Sequence, residues 1–568
     1  MRRWGIVSVG LVLALVPTPA SGLHDDTVDS GARYGSDFPD PHVVYDAANH
    51  TYIAFATNTG GFTLPTLTAG NLDDWALQPD TFSPPRWAAP VVGDAELWAP
   101  SVHQLATGEW RAYSAIRERT TSTQNRYCIS VAEGPGPAGP FVDSSDAPLT
   151  CGYGSAGAID PWVFVDGSGV PWLLWKMEDH RSVVLADDDV HFPLPATLVE
   201  ERAQLRDEGE EPPQRILRPA ADAIWSQRLD PSGLAFHRPD EADPDEAPSW
   251  ASVLLTAQAT TWERSIVESP ALFEAGGRLH LLYSGNRYQS HEYATGWATC
   301  DSPAGPCTRA RSTPILTHDG TINGPGGASV FVDAAGDTRV AFHAWTAPHV
   351  SYRDGGRRLL HIEQLCVLPD ASLSVGFPAG WSFCDVDPTT WFGPGITWMA
   401  DEGVTTGVSE GRFVPERSLS RAEAVTFLWR WAGSPAPSAS SPFTDVEAGR
   451  YYTQAARWAA EVGIIRGTTP TTFAPDAPID RAQVVTILHR AHGEPDPGEG
   501  SSFADVPDDS FFSTATAWAA ATGITTGRTP TEFRPFEQAT RAQFATLLCR
   551  FSRLPGDDRV GTGSICPG

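Results

Sequence analysis

Residues 160–176 read DPWVFVDGSGVPWLLWK. An acidic residue and a proline open the stretch, an apolar strand follows, Gly167 and Gly169 mark a turn, and a second, aromatic strand returns. The period-2 alternation and the turn residues predict a β-hairpin. The same pattern recurs as DPHVVYDAANHTYIAFAT from Asp40, APSVHQLATGEWRAYSA from Ala99 and ESPALFEAGGRLHLLYS from Glu268, with a looser copy, GPGGASVFVDAAGDTRVAFHAW, from Gly324. Five such units at roughly 60-residue spacing predict an all-β, five-bladed β-propeller with about four strands per blade. The longer interval between the third and fourth copies holds an acidic, proline-containing stretch, Asp187 to Pro219, read as a surface insertion. RRLLHIEQLCVL, from Arg357 to Leu368, is a strand suited to close the ring.

After Cys366 the pattern changes. Phe383, Phe443 and Phe503 open three copies of F-x-D-V, 60 residues apart. Each copy runs into a helix ending in glycine (WMADEGVTTG, WAAEVGIIRG, WAAATGITTG), then an F-x-P turn, then a second helix that opens SRAE, DRAQ or TRAQ. Ser420 with Glu423, Asp480 with Gln483 and Thr540 with Gln543 have the form of a capping box. The Pro-, Ser- and Gly-rich linkers SPAPSASSP and EPDPGEGSS separate the copies. An all-α, three-repeat domain is expected, with repeats at 383–433, 443–493 and 503–553 behind a propeller at 23–370.

The 568 residues exceed what one hydrophobic core organises, in keeping with several domains. Arg2 and Arg3, the apolar run Trp4 to Val16, and the small residues Ala20, Ser21 and Gly22 read as a secretory signal over residues 1–22. No segment has the roughly 20 apolar residues of a membrane span. The eight cysteines fall into four sequence-near pairs, Cys128 with Cys151, Cys300 with Cys307, Cys366 with Cys384 and Cys549 with Cys566, without a C-x-x-C or zinc spacing, which fits disulfides and an oxidising compartment. Connectivity is left open at this point. A net charge of −29 argues against nucleic acid as a partner. Among 20 tryptophans some are expected to offer flat faces to sugar rings.

The first strand of every propeller blade lines the central channel, so equivalent repeat positions converge there. Asp40, Asp160 and Glu268 are read as acidic residues at three of those positions. Glycoside hydrolysis needs one carboxylic acid for the leaving oxygen and one carboxylate on the other face of the sugar. A third carboxylate raises the acid's pKa by like-charge repulsion.

The set FPDPHVVYD, ELWAPSV, GAIDPWVFVD, VESPALF with LLYSGN, and GPGGASVF resembles glycoside hydrolase family 43, from about Gly35 to Leu368. That resemblance implies an inverting reaction on arabinose- or xylose-type glycosides, with Asp40 as general base, Glu268 as general acid and Asp160 tuning and orienting the acid. Asp37 is the rival base. Trp98 of LWAP is a candidate sugar platform. His343 of FHAW sits where many relatives hold a histidine beside a channel ion, often calcium, although the family's GPGH motif has Gly327 here in place of its histidine. No cofactor is otherwise expected. Phe383 to about Arg553 resembles S-layer homology domains, which implies binding to anionic secondary cell-wall polymers. Arg421, Arg481 and Arg541, at helix N-termini that also favour anions, are the candidate contacts.

These features make the chain an expected secreted glycosidase on a bacterial cell wall, acting on arabinan- or arabinoxylan-type polysaccharide. α-L-Arabinofuranosidase is the first expectation, with β-xylosidase and endo-arabinanase as alternatives. A non-catalytic, wall-anchored sugar-binding propeller and a structural S-layer protein are the rival classes.

Overall fold

The computed structural model describes residues 31–89, 96–119, 126–152, 157–177, 222–237, 251–497, 503–555 and 565–566. The expected signal at 1–22 and the insertion at Asp187 to Pro219 lie outside the described residues.

Among the described residues five sheets follow one another as blades, antiparallel throughout except for a parallel edge pair in the second. The first is built from β2 (His42–Asp46), β3 (Thr51–Phe55), β4 (Thr66–Ala69) and β5 (Ala76–Leu77). The second runs β7 (Leu97–Gln104), β8 (Trp110–Arg117) and β9 (Tyr127–Gly134) to the short β10 (Phe141–Val142), with β6 (Phe82–Ser83) beside it. Blade three holds β11 (Ala158–Val165), β12 (Pro171–Met177), β13 (Ala223–Arg228) and β14 (Ser252–Thr256). Blade four holds β15 (Val267–Ala275), β16 (Arg278–Gly285), β17 (Ala294–Cys300) and β18 (Cys307–Arg309). The inner hairpins turn where the sequence placed Asp and Gly. In blades one, three and five Asp46, Asp166 and Asp333 accept the backbone N–H two residues on, at 3.0, 2.9 and 2.9 Å, an Asx turn that fixes the register.

The ring closes in blade five. There β19 (Asn323–Val332), β20 (Thr338–Trp345) and β21 (Arg358–Val367) are completed on the outside by β1 (Ala32–Tyr34), while β22 (Leu373–Val375) also pairs with β21. The Arg357-to-Leu368 segment is thus the third strand of a blade whose fourth comes from the far end of the propeller chain. Apolar residues facing between adjacent blades form the core, with Trp175, Tyr113, Tyr283 and Phe342 among its most buried side chains.

In each inner strand the residue that enters the axis has positive φ: Asp40 51°, Ala99 46°, Asp160 54°, Ser269 50° and Gly327 61°. Pairing slips at this point in blades two to five, which makes a bulge beside the axis. Left-handed backbone at non-glycine residues costs on the order of 1–3 kcal/mol each and concentrates at functional sites. These residues and the prolines behind four of them line one narrow void on the axis. The register differs in one respect from the sequence reading. Ser269, rather than Glu268, is the blade-four equivalent of Asp40 and Asp160; Glu268 stands one residue earlier, level with Trp98. A proline one position later was the signal that separates the two.

Behind the propeller lie six helices: α1 (Gly393–Asp401), α2 (Arg421–Trp431), α3 (Thr453–Glu461), α4 (Arg481–Ala491), α5 (Ser513–Ala521) and α6 (Arg541–Phe551). They pack around a pseudo-threefold axis, α2 on α3, α4 on α5 and α6 back on α1, so every repeat completes its neighbour. Near the axis Leu419 N–H donates to Ala539 O (2.8 Å), Ala539 N–H to Ile479 O (2.9 Å) and Ile479 N–H to Leu419 O (3.0 Å), a closed ring of hydrogen bonds. The F-x-D-V aspartates Asp385, Asp445 and Asp505 each accept two backbone N–H groups from their own F-x-P turn, at 2.7–2.9 Å. The middle residue of that turn (Val414, Ala474, Arg534) holds φ of 56–57°.

Four disulfides join Cys128 to Cys151, Cys300 to Cys307, Cys366 to Cys384 and Cys549 to Cys566. The third bridges propeller and repeats. Beside it, buried Asp337 accepts Ser409 Oγ (2.7 Å) and Gly411 N–H (3.0 Å) from the first repeat, and Arg339 pairs with Glu410 (2.8 Å). No helix among the described residues is long and apolar enough to cross a membrane.

Candidate active site

A cleft of about 570 Å³ opens at one end of the propeller axis, and Asp40, Asp160, Glu268 and Trp98 all line it. Positive φ at Asp40 and Asp160 puts the first two carboxylates there. The preceding register position does the same for Glu268 and Trp98.

Asp40 accepts Thr57 Oγ1 at 2.7 Å, and Arg358 Nη1 reaches its Oδ1 at 3.3 Å. Burial alone would raise this carboxyl, but the Arg358 guanidinium, helped by His343 and Thr57, holds it well below the usual carboxylate range. Asp40 is therefore held as an anion near neutral pH. Asp37, the rival base, also lines the cleft, but its oxygens are spent on Arg358 N–H (2.8 Å), Thr59 Oγ1 (2.8 Å) and Tyr352 OH (3.2 Å). It braces the loop that carries Arg358.

Asp160 has the opposite environment. Ser269 N–H donates to its Oδ2 at 2.9 Å, while burial and the negative charge of Glu268 push its pKa up to about 7. Glu268 accepts Tyr293 OH at 2.7 Å on one oxygen and Lys176 Nζ at 2.8 Å on the other. One carboxylate held ionised and a neighbouring carboxyl pair that retains a proton near neutrality are the parts of an acid–base reaction.

Trp98 lines the cleft half-buried, with one face stacked on Tyr127 at 3.9 Å between centroids. His343 is fully buried behind Asp40, whose N–H donates to its Nδ1 at 3.1 Å. Burial lowers its pKa, so it is neutral with the proton on Nε2, and that atom has no hydrogen-bond partner. Carrying that proton, the unpartnered Nε2 has no lone pair to offer a channel ion. The surrounding groups do not build a cage for it: Nδ1 is committed to the Asp40 backbone, and the charge that faces Asp40 is the Arg358 cation. Among the described residues the only cluster of three potential donors, Glu118 with Cys128 and Cys151, is taken up by a disulfide. Gly327 follows from the same packing. A Cβ there would stand 2.6 Å from His343 Nδ1 and 2.9 Å from Asp40 Oδ1, so a histidine at this position is excluded while His343 keeps its place.

Arg358, Lys176, Tyr293 and Thr57 were missed in the sequence. Lys176 carried a signal, since an ammonium ends an apolar strand in register opposite Ile159. Arg358 carried none, because its role depends on ring closure.

The repeat arginines lie differently from the expectation of open, anion-facing helix starts. Arg421, Arg481 and Arg541 are 8%, 5% and 1% exposed. Each donates Nε to the carbonyl of the next repeat's F-x-P phenylalanine, Phe473 (2.8 Å), Phe533 (2.9 Å) and Phe413 (2.7 Å), and lies over that ring. The helix N-termini are occupied too. The first two N–H groups of α2, α4 and α6 donate to neighbouring-repeat carbonyls at 2.9–3.0 Å, and the N-cap side chain takes the third. Asp480 adds its charge to Arg421. What the repeats do expose in register is aromatic: Trp391, Tyr451 and Phe511, at 62%, 58% and 64%.

A family model described as "Glycosyl hydrolases family 43" matches residues 35–191 and 210–365, more than half of the chain. One described as "S-layer homology domain" matches 382–425, 442–485 and 502–545. An S-layer protein of Bacillus thuringiensis subsp. finitimus is 26% identical over 32% of this chain and 22% of its own length. An endoglucanase of a Bacillus species is 32% identical over 31% of this chain and 19% of its own. The chain thus spans about a fifth of the length of these curated relatives. Among solved structures, a thermostable family-43 glycoside hydrolase aligns over 62% of this chain and 96% of its own with 21% identity and a TM-score of 0.46. An α-L-arabinofuranosidase from Lactobacillus brevis aligns over 60% and 94% with 18% identity and a TM-score of 0.41.

Proposed function

The chain belongs to glycosyl hydrolases family 43 and carries three S-layer homology domains, and from that premise we propose that it is a wall-attached glycosidase cleaving arabinose- or xylose-type bonds in plant polysaccharide with inversion. The observation that carries this reading is the opposed state of two carboxyls in one cleft: Asp40 held ionised by Arg358, and Asp160 pushed up to about 7 beside Glu268.

In this reading Asp40 takes the proton of the attacking water and Glu268 gives one to the leaving oxygen. Thr57 and Arg358 orient Asp40. Its N–H bond to His343 fixes the strained backbone from behind, so His343 is a positioning residue. Trp98 offers an apolar face to a sugar ring. α-L-Arabinofuranosidase activity is the proposed specificity, with β-xylosidase and endo-arabinanase as the alternatives, and no resident metal takes part. The S-layer homology domains hold the enzyme at the cell surface through an acidic wall polymer. The threefold-exposed aromatics are better placed to touch that polymer than the buried arginines.

Hydrolysis of a panel of nitrophenyl pentosides and of arabinan tests the activity, with NMR of the first-formed sugar for its stereochemistry. Asp40→Asn and Glu268→Gln are each expected to lower kcat by several orders of magnitude, beyond the roughly 10²–10⁴-fold of one helper acid or base. EDTA is expected to leave the rate unchanged. A wild-type protein that binds these sugars but cleaves none of them would make the propeller a binding module.

A further inference from the structure

Lys176 is the sole cation inserted among the carboxylates on the Glu268 side of the cleft among the described residues, and the hydrolytic reading gives it no task. Its side chain is 5% exposed. Nζ lies 2.8 Å from Glu268 Oε2 and 3.3 Å from Asp222 Oδ2, and the Asp222 side chain is wholly buried. The groups facing Glu268 come from three directions. Lys176 comes from β12, Asp160 from β11, and Tyr293 from just ahead of β17, donating to the other oxygen at 2.7 Å. Asp222, just before β13, faces Lys176 from behind, and Asp40 acts on Asp160 from across the axis.

An acid catalyst must hold its proton when substrate arrives, and an ammonium in direct contact works against that by stabilising the carboxylate. Asp222 resolves the conflict. With its anion bound to the far side of the ammonium, Glu268 meets a charge pair rather than a bare cation, and the pair's field falls off much faster than that of a single charge. We infer that Lys176 and Asp222 together are positioning residues that set the upper pH at which Glu268 can act as the acid, Lys176 lowering that limit and Asp222 raising it.

The inference rests on Glu268 being the acid, and its test uses the full chain with a pentoside that the wild type cleaves. The basic limb of kcat/KM against pH reports the coupled Asp160–Glu268 carboxyls, while the acidic limb reports the base. Asp222→Asn removes the anion behind Lys176, leaving its charge to Glu268 and Asp160, and is expected to move the basic limb down by about one unit or more, the scale of one close charge. The double variant Lys176→Met with Asp222→Asn removes cation and anion together, keeps the buried charge balanced, and is expected to move the same limb up. The acidic limb stays in place in both, because Asp40 answers to Arg358. Above neutrality, Asp222→Asn is also expected to slow a methyl pentoside more than a dinitrophenyl one, whose leaving group needs no proton.

A basic limb that stays put in both variants, or that moves the same way in both, overturns the inference. If the double variant does not accumulate, the near-isosteric Asp222→Asn decides by itself: an unmoved or raised limb, or equal loss on the two leaving groups, overturns it. Absence of turnover in the wild type would instead remove the hydrolytic reading, a separate result.

Discussion

Asp160 stores stability against function. Its ordinary pKa is 3.8 and its folded value about 7, raised by burial and by Glu268. Between those values the folded protein keeps a proton that the unfolded chain gives up, so the folded state loses stability as pH rises through this window and bears the full cost above it. Asp160→Asn is therefore expected to raise Tm at and above neutral pH, by a free energy on the order of 4 kcal/mol. The gain should fade toward pH ~4, and activity should fall at the same time. Melting curves of both proteins across that range check it; a gain independent of pH would assign the stabilisation to something other than the charge. Asparagine suits the site in two further ways, since it tolerates φ of 54° and can still accept Ser269 N–H. Of the groups that create this environment, the three acids were legible in the sequence because they precede prolines or nearly so in a repeat. The partners of Lys176 and Arg358 lie 92 and 318 residues away along the chain, so Arg358 was not legible and Lys176 only as an ammonium near the end of an apolar strand. The register of Glu268 was legible in Pro270, which follows it by two positions where the prolines follow Asp40 and Asp160 at once.

The repeat helices carry their lesson at their first turn. The capping motif at Ser420, Asp480 and Thr540 was read correctly as a helix start, and Ser420 and Thr540 form the full box. In the middle repeat Gln483 accepts Arg421 Nη1 at 3.1 Å, a bond across repeats. Burial of the following arginine was not legible, because a cap looks the same whether water or a neighbour's carbonyl covers the remaining N–H groups. Arg541 makes the most of this position: its guanidinium lies 4.3 Å over Phe413, its Nε bonds the Phe413 carbonyl, and it pairs with Glu423. Arg541→Ala should cost about 3–5 kcal/mol, because it removes one partner of a buried charge pair. Arg481→Ala, which removes a backbone bond and a ring contact rather than a carboxylate pair, should cost about 1–3 kcal/mol. Denaturant melts of the full chain followed by tryptophan fluorescence give the ranking, and a cost for Arg481→Ala as large as for Arg541→Ala would mean that the Glu423 pair contributes little. Replacing Trp391, Tyr451 and Phe511 by alanine should leave stability nearly unchanged while reducing co-sedimentation with cell walls.

At the scale of the whole molecule, five blades and three repeats were legible because each is periodic, whereas their junction is made once and had no repeat to announce it. Asp337, Arg339 and Cys366 meet Ser409, Glu410 and Cys384 across it. Cys366 and Cys384 together replaced by alanine should lower Tm, since closing an 18-residue loop contributes about 3 kcal/mol, and should leave kcat unchanged. Ending the chain near residue 370 removes the partners of Asp337 and Arg339 as well and should cost more than the double cysteine replacement. Calorimetry paired with activity compares the two, and an equal loss would mean that the polar clamp adds nothing. The junction also decides where tension enters an enzyme tethered in moving liquid. A pull relayed through Cys384 arrives at Cys366, inside the ten-residue strand β21, which has β20 on one side and β1 and β22 on the other. Drag is then spread as shear over a ladder of hydrogen bonds in the outer part of one blade, and the five positive-φ residues at the axis, beside which the carboxylates stand, lie off the load path.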